Sequence, residues 1–572
     1  MKRLRRWAIP CLGLVLIAVV IGLAIGLRAK PRAGITISRE TTFITEPLRE
    51  DGYPDYVAAL NQIASEGVTP ENNAAVLFCR AFGPRTIPEE NRGRFFRMLG
   101  VPPLPPEGKY LVSLWDYVHR DKGTQAQSPG DQPTQEDQAF WTASDQLDEA
   151  VARPWSTEEF PTLVQWLEAN EGPLKLIFEG TRRPRWYVPI VCEGGALWGG
   201  MWMGPREPLR HCAPALCARA MLRLKAGQVE EAHQDLLGCH RLARLASQGP
   251  MLEEDVLVAY GMESMACGGD AALAHYANLK ADQARKLADD LRSLPPMPNV
   301  AEKWNVGARY AYLDRLCWHA RFGPRALGTL IGLGSSGEHT PESPEGVFDS
   351  LTGLGAQMVI DANEALRAGN AWFDRVHAAF SMNSTHERIA ALRQLEEELA
   401  RLSMERRDRN IMHQVLTSNS PAATAGRYIV AVTAPAPASY GYVTDGALVR
   451  QRMALVAFAL AAYRAEHGAY PADLAQVVPK YLKAVPEDTF SGKPLRYKRE
   501  GAGYLLYSIR SYREDDGSES RFIEDPENAQ YLLSQGLYIV TRMPVPKRTP
   551  QEGPAGIFRE GHAEMRGEKS EK

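Results

Sequence analysis

The strongest pattern in the chain is an unbroken apolar run. Residues 8–27, AIPCLGLVLIAVVIGLAIGL, carry no charge over twenty positions. At about 1.5 Å per helical residue, such a run spans a hydrocarbon core of about 30 Å. Lys2, Arg3, Arg5 and Arg6 precede it and Arg28, Lys30 and Arg32 follow it, a bias that places the N-terminus in the cytoplasm. The run exceeds the apolar region of a cleaved signal peptide, and Leu27-Arg28-Ala29-Lys30 is a poor cleavage site. No later segment approaches this length of apolar sequence. The pattern therefore predicts a single-pass inner-membrane protein tethered through residues 8–27, with its soluble body on the periplasmic side.

Beyond residue 30 the apolar positions follow helical periods. A mixed region, 31–137, holds an amphipathic stretch at 56–63. A second helix is expected to start with Thr69 as N-cap and Pro70 at the first helical position. Prolines 102, 103, 105 and 106 break the pattern, and 121–137, DKGTQAQSPGDQPTQED, reads as a polar linker. Residues 138–420 form a helical body. Ser156 with Glu159 gives a capping-box signal ahead of Leu163, Trp166 and Leu167.

The clearest unit is 212–247. Ala215, Leu216, Ala218, Met221, Leu222 and Leu224 line one helix. Val229, Ala232, Leu236, Leu237, His240, Leu242 and Leu245 line the next. The connecting string Ala226-Gly227-Gln228-Val229-Glu230-Glu231-Ala232 resembles the turn of a tetratricopeptide hairpin. Such arrays need several units at a fixed period, and the neighbours at 252–275 and 281–294 match poorly, so a helical-hairpin body is the reading. Residues 332–346 are a loop, 351–417 return to long charged helices, 421–446 are a linker, and 546–572 are a disordered tail.

Composition narrows the function. Of 572 residues, 44% are apolar and 24% charged, which suits an ordinary globular core and excludes wholesale disorder. Lys and Arg total 66 and Asp and Glu 69, interspersed, for a net charge of -3; nucleic acid is not an expected partner. There are eight cysteines: Cys11 in the apolar run, then Cys79, Cys192, Cys212, Cys217, Cys239, Cys267 and Cys317. Their irregular spacing is not a disulfide framework, though one or two bridges stay open in an oxidising compartment.

Four local patterns could carry chemistry. Gly332-x-Gly334-x-x-Gly337 matches a dinucleotide fingerprint as a string, but Glu338-His339-Thr340-Pro341 is a poor helix opening for a pyrophosphate. His211-Cys212, Cys217 and Cys239-His240 supply soft ligands without a CxxC pair, at spacings that fit the faces of a hairpin. His386-Glu387 lacks the second histidine of a zinc protease, since position 390 is Ala390. The basic-aromatic stretch Arg182-Arg183-Pro184-Arg185-Trp186-Tyr187-Val188-Pro189 could bind an anion, but an extended connection whose rings cover the helices is the preferred reading.

The C-terminal pattern is more specific. An amphipathic helix over 447–468 ends at Gly468. Gly468-Ala469-Tyr470-Pro471-Ala472-Asp473-Leu474 and Val477-Val478-Pro479-Lys480-Tyr481-Leu482 follow. Next come Val485-Pro486-Glu487-Asp488 and Phe490-Ser491-Gly492-Lys493-Pro494-Leu495-Arg496-Tyr497. A turn at Glu500-Gly501-Ala502-Gly503 leads to Tyr504-Leu505-Leu506-Tyr507-Ser508-Ile509, and Leu537-Tyr538-Ile539-Val540 is a further candidate strand. This series resembles the globular part of type II secretion system major pseudopilins, over about an eighth of the chain. The resemblance implies a small α+β domain at 447–545, one long helix laid on an antiparallel sheet. It also implies a calcium loop after the last quoted strand, where Asp515 and Asp516 would be the oxygen ligands. The family's processed start is missing, and its glycines in that loop are mostly replaced. The region from 53 to 84 is similar to uncharacterised membrane-anchored bacterial proteins.

The reading as a whole is a mainly α fold: a helical-hairpin body with an N-terminal transmembrane helix and a small C-terminal α+β pseudopilin-like domain. Its function is expected to be a non-enzymatic interaction or assembly scaffold at the cell envelope. Protein partners would be held by the helical body or the C-terminal module, without a cofactor beyond the implied calcium. The alternative is an envelope-located, hydrolase-like enzyme with a site in the helical body.

Overall fold

The computed structural model describes residues 34–119, 135–192, 197, 201–202, 206–249, 253–321, 361–407, 414–415, 417–509 and 538–546. These form sixteen helices and five short strands. In chain order the helices are α1 Tyr56–Ser65, α2 Ala74–Phe82, α3 Glu89–Leu99, α4 Leu114–Val118, α5 Gln135–Ala150, α6 Pro161–Ala169, α7 Glu171–Gly180, α8 Arg206–Lys225, α9 Val229–Ala246, α10 Glu253–Tyr276, α11 Ala281–Arg292, α12 Val300–Arg321, α13 Ala362–Phe380, α14 Thr385–Arg407, α15 Pro421–Thr433 and α16 Pro437–His467. The strands are β1 Val191–Cys192, β2 Met201–Trp202, β3 Arg496–Glu500, β4 Gly503–Ile509 and β5 Tyr538–Met543. The chain divides into a smaller unit (Met1–Asp55, Tyr312–Phe373, Glu398–Ala434) and a larger one (Tyr56–Ala311, Asp374–Glu397, Pro435–Lys572).

In the larger unit, α8 and α9 form the antiparallel hairpin read from the sequence. Gly227 turns the chain between them at φ +79°, a left-handed conformation that glycine adopts without a Cβ penalty. Helix α10 packs on both members, and α16 runs along α10 and α11. The reason lies in α16 itself. Met453, Ala454 and every residue from 456 to 462 are buried, so this part of the helix is apolar all round and must be covered on every side. Helices α10 and α11 cover part of it. The three-stranded sheet, β3-β4-β5, contributes through β4 and β5. Strand β4 is the centre of that antiparallel sheet, pairing Arg496 with Tyr507 on one edge and Tyr504 with Met543 on the other, and it is buried at all seven positions.

Several local starts differ from the sequence reading. Asn73, not Thr69, caps α2, its Oδ1 accepting from the Ala75 amide at 3.1 Å. Helix α6 begins at Pro161 rather than behind Ser156. Apart from 434–436, residues 421–446 are helix, not linker, over α15 and the start of α16; Pro421 and Pro437 open the two helices and alanines sustain them. Gly468, at φ +77°, ends α16 where the pattern placed the cap.

Two parts of the expected fold class are corrected. A transmembrane, single-pass architecture is not found: among the described residues no helix is long and apolar enough to cross a membrane. The run at 8–27 lies outside the described residues. Helix α16 has the length, at 31 residues, but Asp445, Arg450, Arg452, Arg464 and Glu466 interrupt it. The C-terminal segment is likewise no separate α+β domain. Its sheet has only three strands, between 496 and 543, and its long helix is a core element of the helical unit because both sides of that helix are apolar.

The smaller unit is built on buried polar ties. Arg49 meets Asp314 at 2.5 Å, and the Asn370 amide donates to the carbonyls of Glu40 and Thr41 at 3.0 and 2.8 Å. Gly426 lies against Ala365, where an added Cβ would approach the Ala365 Cα to 3.0 Å.

Candidate functional site

A cluster of buried ionisable side chains lies at the junction of α9, α10 and α16. On α10, Glu263, Cys267 and Asp270 recur at i, i+4 and i+7, which places them on one helical face. On α9, His240 and Arg244 are one turn apart and face them. The His240 ring is fully buried; Nδ1 lies 2.9 Å from Glu263 Oε2 and Nε2 lies 2.9 Å from Asp270 Oδ2. With a carboxylate at each ring nitrogen, both nitrogens donate, which defines an imidazolium. Arg244 donates to Glu263 Oε2 at 2.7 Å and Oε1 at 3.3 Å, and also to the carbonyls of His240 at 2.8 Å and Pro295 at 2.5 Å. From α16, the Gln451 amide donates to Glu263 Oε1.

The electrostatics follow from this geometry. Burial opposes charge on His240, but the carboxylates of Glu263 and Asp270 outweigh it and raise its pKa to about 10. Burial would likewise push Glu263 up; His240 and Arg244 reverse that and hold it below the usual carboxylate range. Glu263 and Asp270 against His240 and Arg244 make a cluster with no net charge, the condition under which buried ions are tolerated.

His240, Glu263 and Cys267 place ligand atoms within 4.8 Å of one another, and imidazole, carboxylate and thiolate together would suit zinc. The residues do not fit such an ion as they are arranged. Both imidazole nitrogens hold protons directed at carboxylates, whereas a ligating nitrogen must be bare. Glu263 is engaged through both oxygens by cationic or amide donors. Burial first, then the neighbouring carboxylates, push the Cys267 thiol well above its ordinary pKa. Arg244 supplies the positive charge that a metal would bring.

The structure divides the residues that sequence spacing had grouped as soft ligands between two faces of α9. His240 faces α10, while Cys239 faces α8, its Sγ 3.6 Å from that of Cys217. The basic-aromatic stretch is an extended connection. Arg183 donates to the carbonyls of Pro70 and Asn73 at 2.8 Å, Arg185 to that of Glu66, and Trp186 packs edge-on against Phe78 at 5.1 Å. Two of its guanidinium groups thus serve the backbone, and the third, of Arg182, lies over the Phe178 ring at 4.6 Å. Gly332, Gly334, Gly337, Asp515 and Asp516 lie outside the described residues.

A second polar contact joins the C-terminal segment to the body. His275 Nδ1 accepts from the Tyr470 hydroxyl at 2.8 Å, and Arg464 donates to that hydroxyl at 2.8 Å and to the His275 carbonyl at 2.7 Å. Sequence periodicity found His240 but missed Glu263, Asp270 and Gln451. The legible signal was the stripe Glu263, Cys267, Asp270 in the otherwise uncharged stretch of α10 from 256 to 274. No protein-family description, curated protein or solved structure matches the chain.

Proposed function

We propose that this protein is a non-enzymatic interaction or assembly scaffold, with the pseudopilin-like C-terminal segment serving as a structural part of its helical body. The observation that carries this reading is the destination of the ionisable groups at the site. His240, Glu263, Asp270 and Arg244 are buried and neutralise one another, and Gln451 extends the cluster to α16. Groups of that kind in an enzyme face a substrate; here they hold three helices in register. The resemblance of 449–517 to pseudopilins supports an assembly role by analogy of fold.

The test has two arms on the full chain. Chemical crosslinking in native cells, followed by affinity capture, identifies candidate partners, and each is then titrated against the purified protein by calorimetry. A saturable complex formed without chemical change in either partner supports the scaffold. Turnover of chromogenic ester, phosphoester, peptide or glycoside substrates overturns it in favour of the hydrolase alternative, provided that His240→Gln abolishes that turnover while the fold is retained. Failure of every captured candidate to bind in purified form also overturns it.

A further inference from the structure

We propose that Cys217 and Cys239 are a disulfide-forming pair that staples the α8–α9 hairpin in an oxidising environment. The two residues are 22 positions apart and face each other across the antiparallel interface, with Sγ atoms 3.6 Å apart, at van der Waals contact. Cys239 Sγ also reaches the Ala213 carbonyl at 3.5 Å, so the side chain of one helix touches the backbone of the other. Both cysteines are fully buried and belong to the same hydrophobic core as Ala213, Ala218, Ala220 and Ala243. A disulfide needs an Sγ–Sγ distance of about 2.05 Å, so the two atoms must close by about 1.5 Å in total. Among the other described cysteines, Cys212 lies close enough to act on Cys239. Cys212 Sγ instead donates to the Pro208 carbonyl of its own helix at 3.4 Å.

The chemistry is thiol–disulfide exchange with a small-molecule or protein disulfide as oxidant. One thiolate attacks the oxidant and forms a mixed disulfide, releasing one thiol. The second cysteine attacks the protein sulfur of that mixed disulfide and releases the other. Two protein thiols and one disulfide become one protein disulfide and two thiols, and the two protons leave with the products. In the folded hairpin the contact with Cys217, together with burial, keeps the Cys239 thiol protonated, and no oxidant reaches it. The bond therefore forms as the hairpin closes, before the pair is covered by the rest of the core. Once formed it is shielded from reductants by the same burial.

The experiment refolds the full chain from denaturant in a glutathione redox buffer, alkylates the remaining thiols and maps peptides by mass spectrometry. The expected result is a linked peptide pair containing Cys217 and Cys239, with Cys11, Cys79, Cys192, Cys212, Cys267 and Cys317 alkylated. Thermal unfolding of the oxidised protein should be several degrees higher than that of the reduced protein, a difference that Cys217→Ala removes. Alkylation of both Cys217 and Cys239 after oxidative refolding, or a linked pair joining other cysteines, overturns the proposal. If Cys217→Ala does not fold, the peptide map of the unsubstituted chain still decides.

Discussion

Gln451 and Glu263 are 188 positions apart, yet the Gln451 amide donates directly to the Glu263 carboxylate inside the larger unit. Through this bond α16 joins a cluster otherwise built by α9 and α10. The contact explains why the C-terminal segment is integrated with the helical body, since separating α16 would leave Glu263 short of a donor and expose the all-round apolar surface from 453 to 462.

Glu263→Gln should destabilise the larger unit by about 3–5 kcal/mol, because it leaves the imidazolium and Arg244 buried with one carboxylate between them. Gln451→Leu should cost less, about 1–2 kcal/mol, since Glu263 keeps His240 and Arg244. Denaturant unfolding of both variants checks the order. Equal costs would show that the amide, not charge balance, dominates the cluster.

Stability should peak near pH 6.5 and fall on both sides. His240 is raised from its ordinary value of about 6.5 to about 10. Its contribution is therefore complete below pH 6.5 and is lost as pH rises toward 10. His275 moves the other way: burial first, then Arg464, lower it to about 4. The unfolded chain then binds the extra proton between about 6.5 and 4, and stability is lost as pH falls through that window. Glu263, held low, acts in the same direction on the acid side. Thermal midpoints across pH should show His240→Gln flattening the alkaline limb and His275→Asn reducing the acid slope.

Arg388 clamps the buried Asp445 through Nη2 at 2.5 Å and Nε at 3.3 Å. Burial raises the Asp445 pKa, and Arg388 works against that rise. Arg388→Met should cost about 3–5 kcal/mol at neutral pH. The deficit should shrink in acid, where a protonated Asp445 is cheaper to bury. Unfolding curves of variant and parent at neutral and acidic pH measure both effects, and a pH-independent deficit would point to lost packing instead.

Two glycine substitutions should have opposite signs. An added Cβ at Gly503 would be 1.8 Å from the Met543 carbonyl oxygen, which is backbone and cannot turn aside. Gly503→Ala should cost at least about 1–3 kcal/mol and lower amide protection at the end of the β4–β5 pairing. A Cβ at Gly172, in the first turn of α7, meets nothing within 4 Å. Gly172→Ala should stabilise by up to about 1 kcal/mol. Thermal shifts and hydrogen exchange distinguish the two.

The sequence by itself determined the helical hairpin, the cap at Gly468, the turn around Gly501 and the apolar and aromatic runs that mark β4 and β5. Each depends on local periodicity or on a conformation that only glycine readily adopts, so neighbours in the chain suffice to specify it. Helix starts were less legible, because Asn73 competes with Thr69 within a few residues and the better hydrogen bond decides. Only the tertiary structure decided the role of α16 and the meaning of His240. A helix apolar all round looks in sequence like either half of a small domain or the centre of a larger core. What covers it is set by α10 and α11, far away in the chain. His240 reads as one more position on a helical face until Glu263 and Asp270 arrive from α10. Coulomb interactions depend on separation in space, and pairs 23 and 30 residues apart in the chain come within 2.9 Å only when the helices pack.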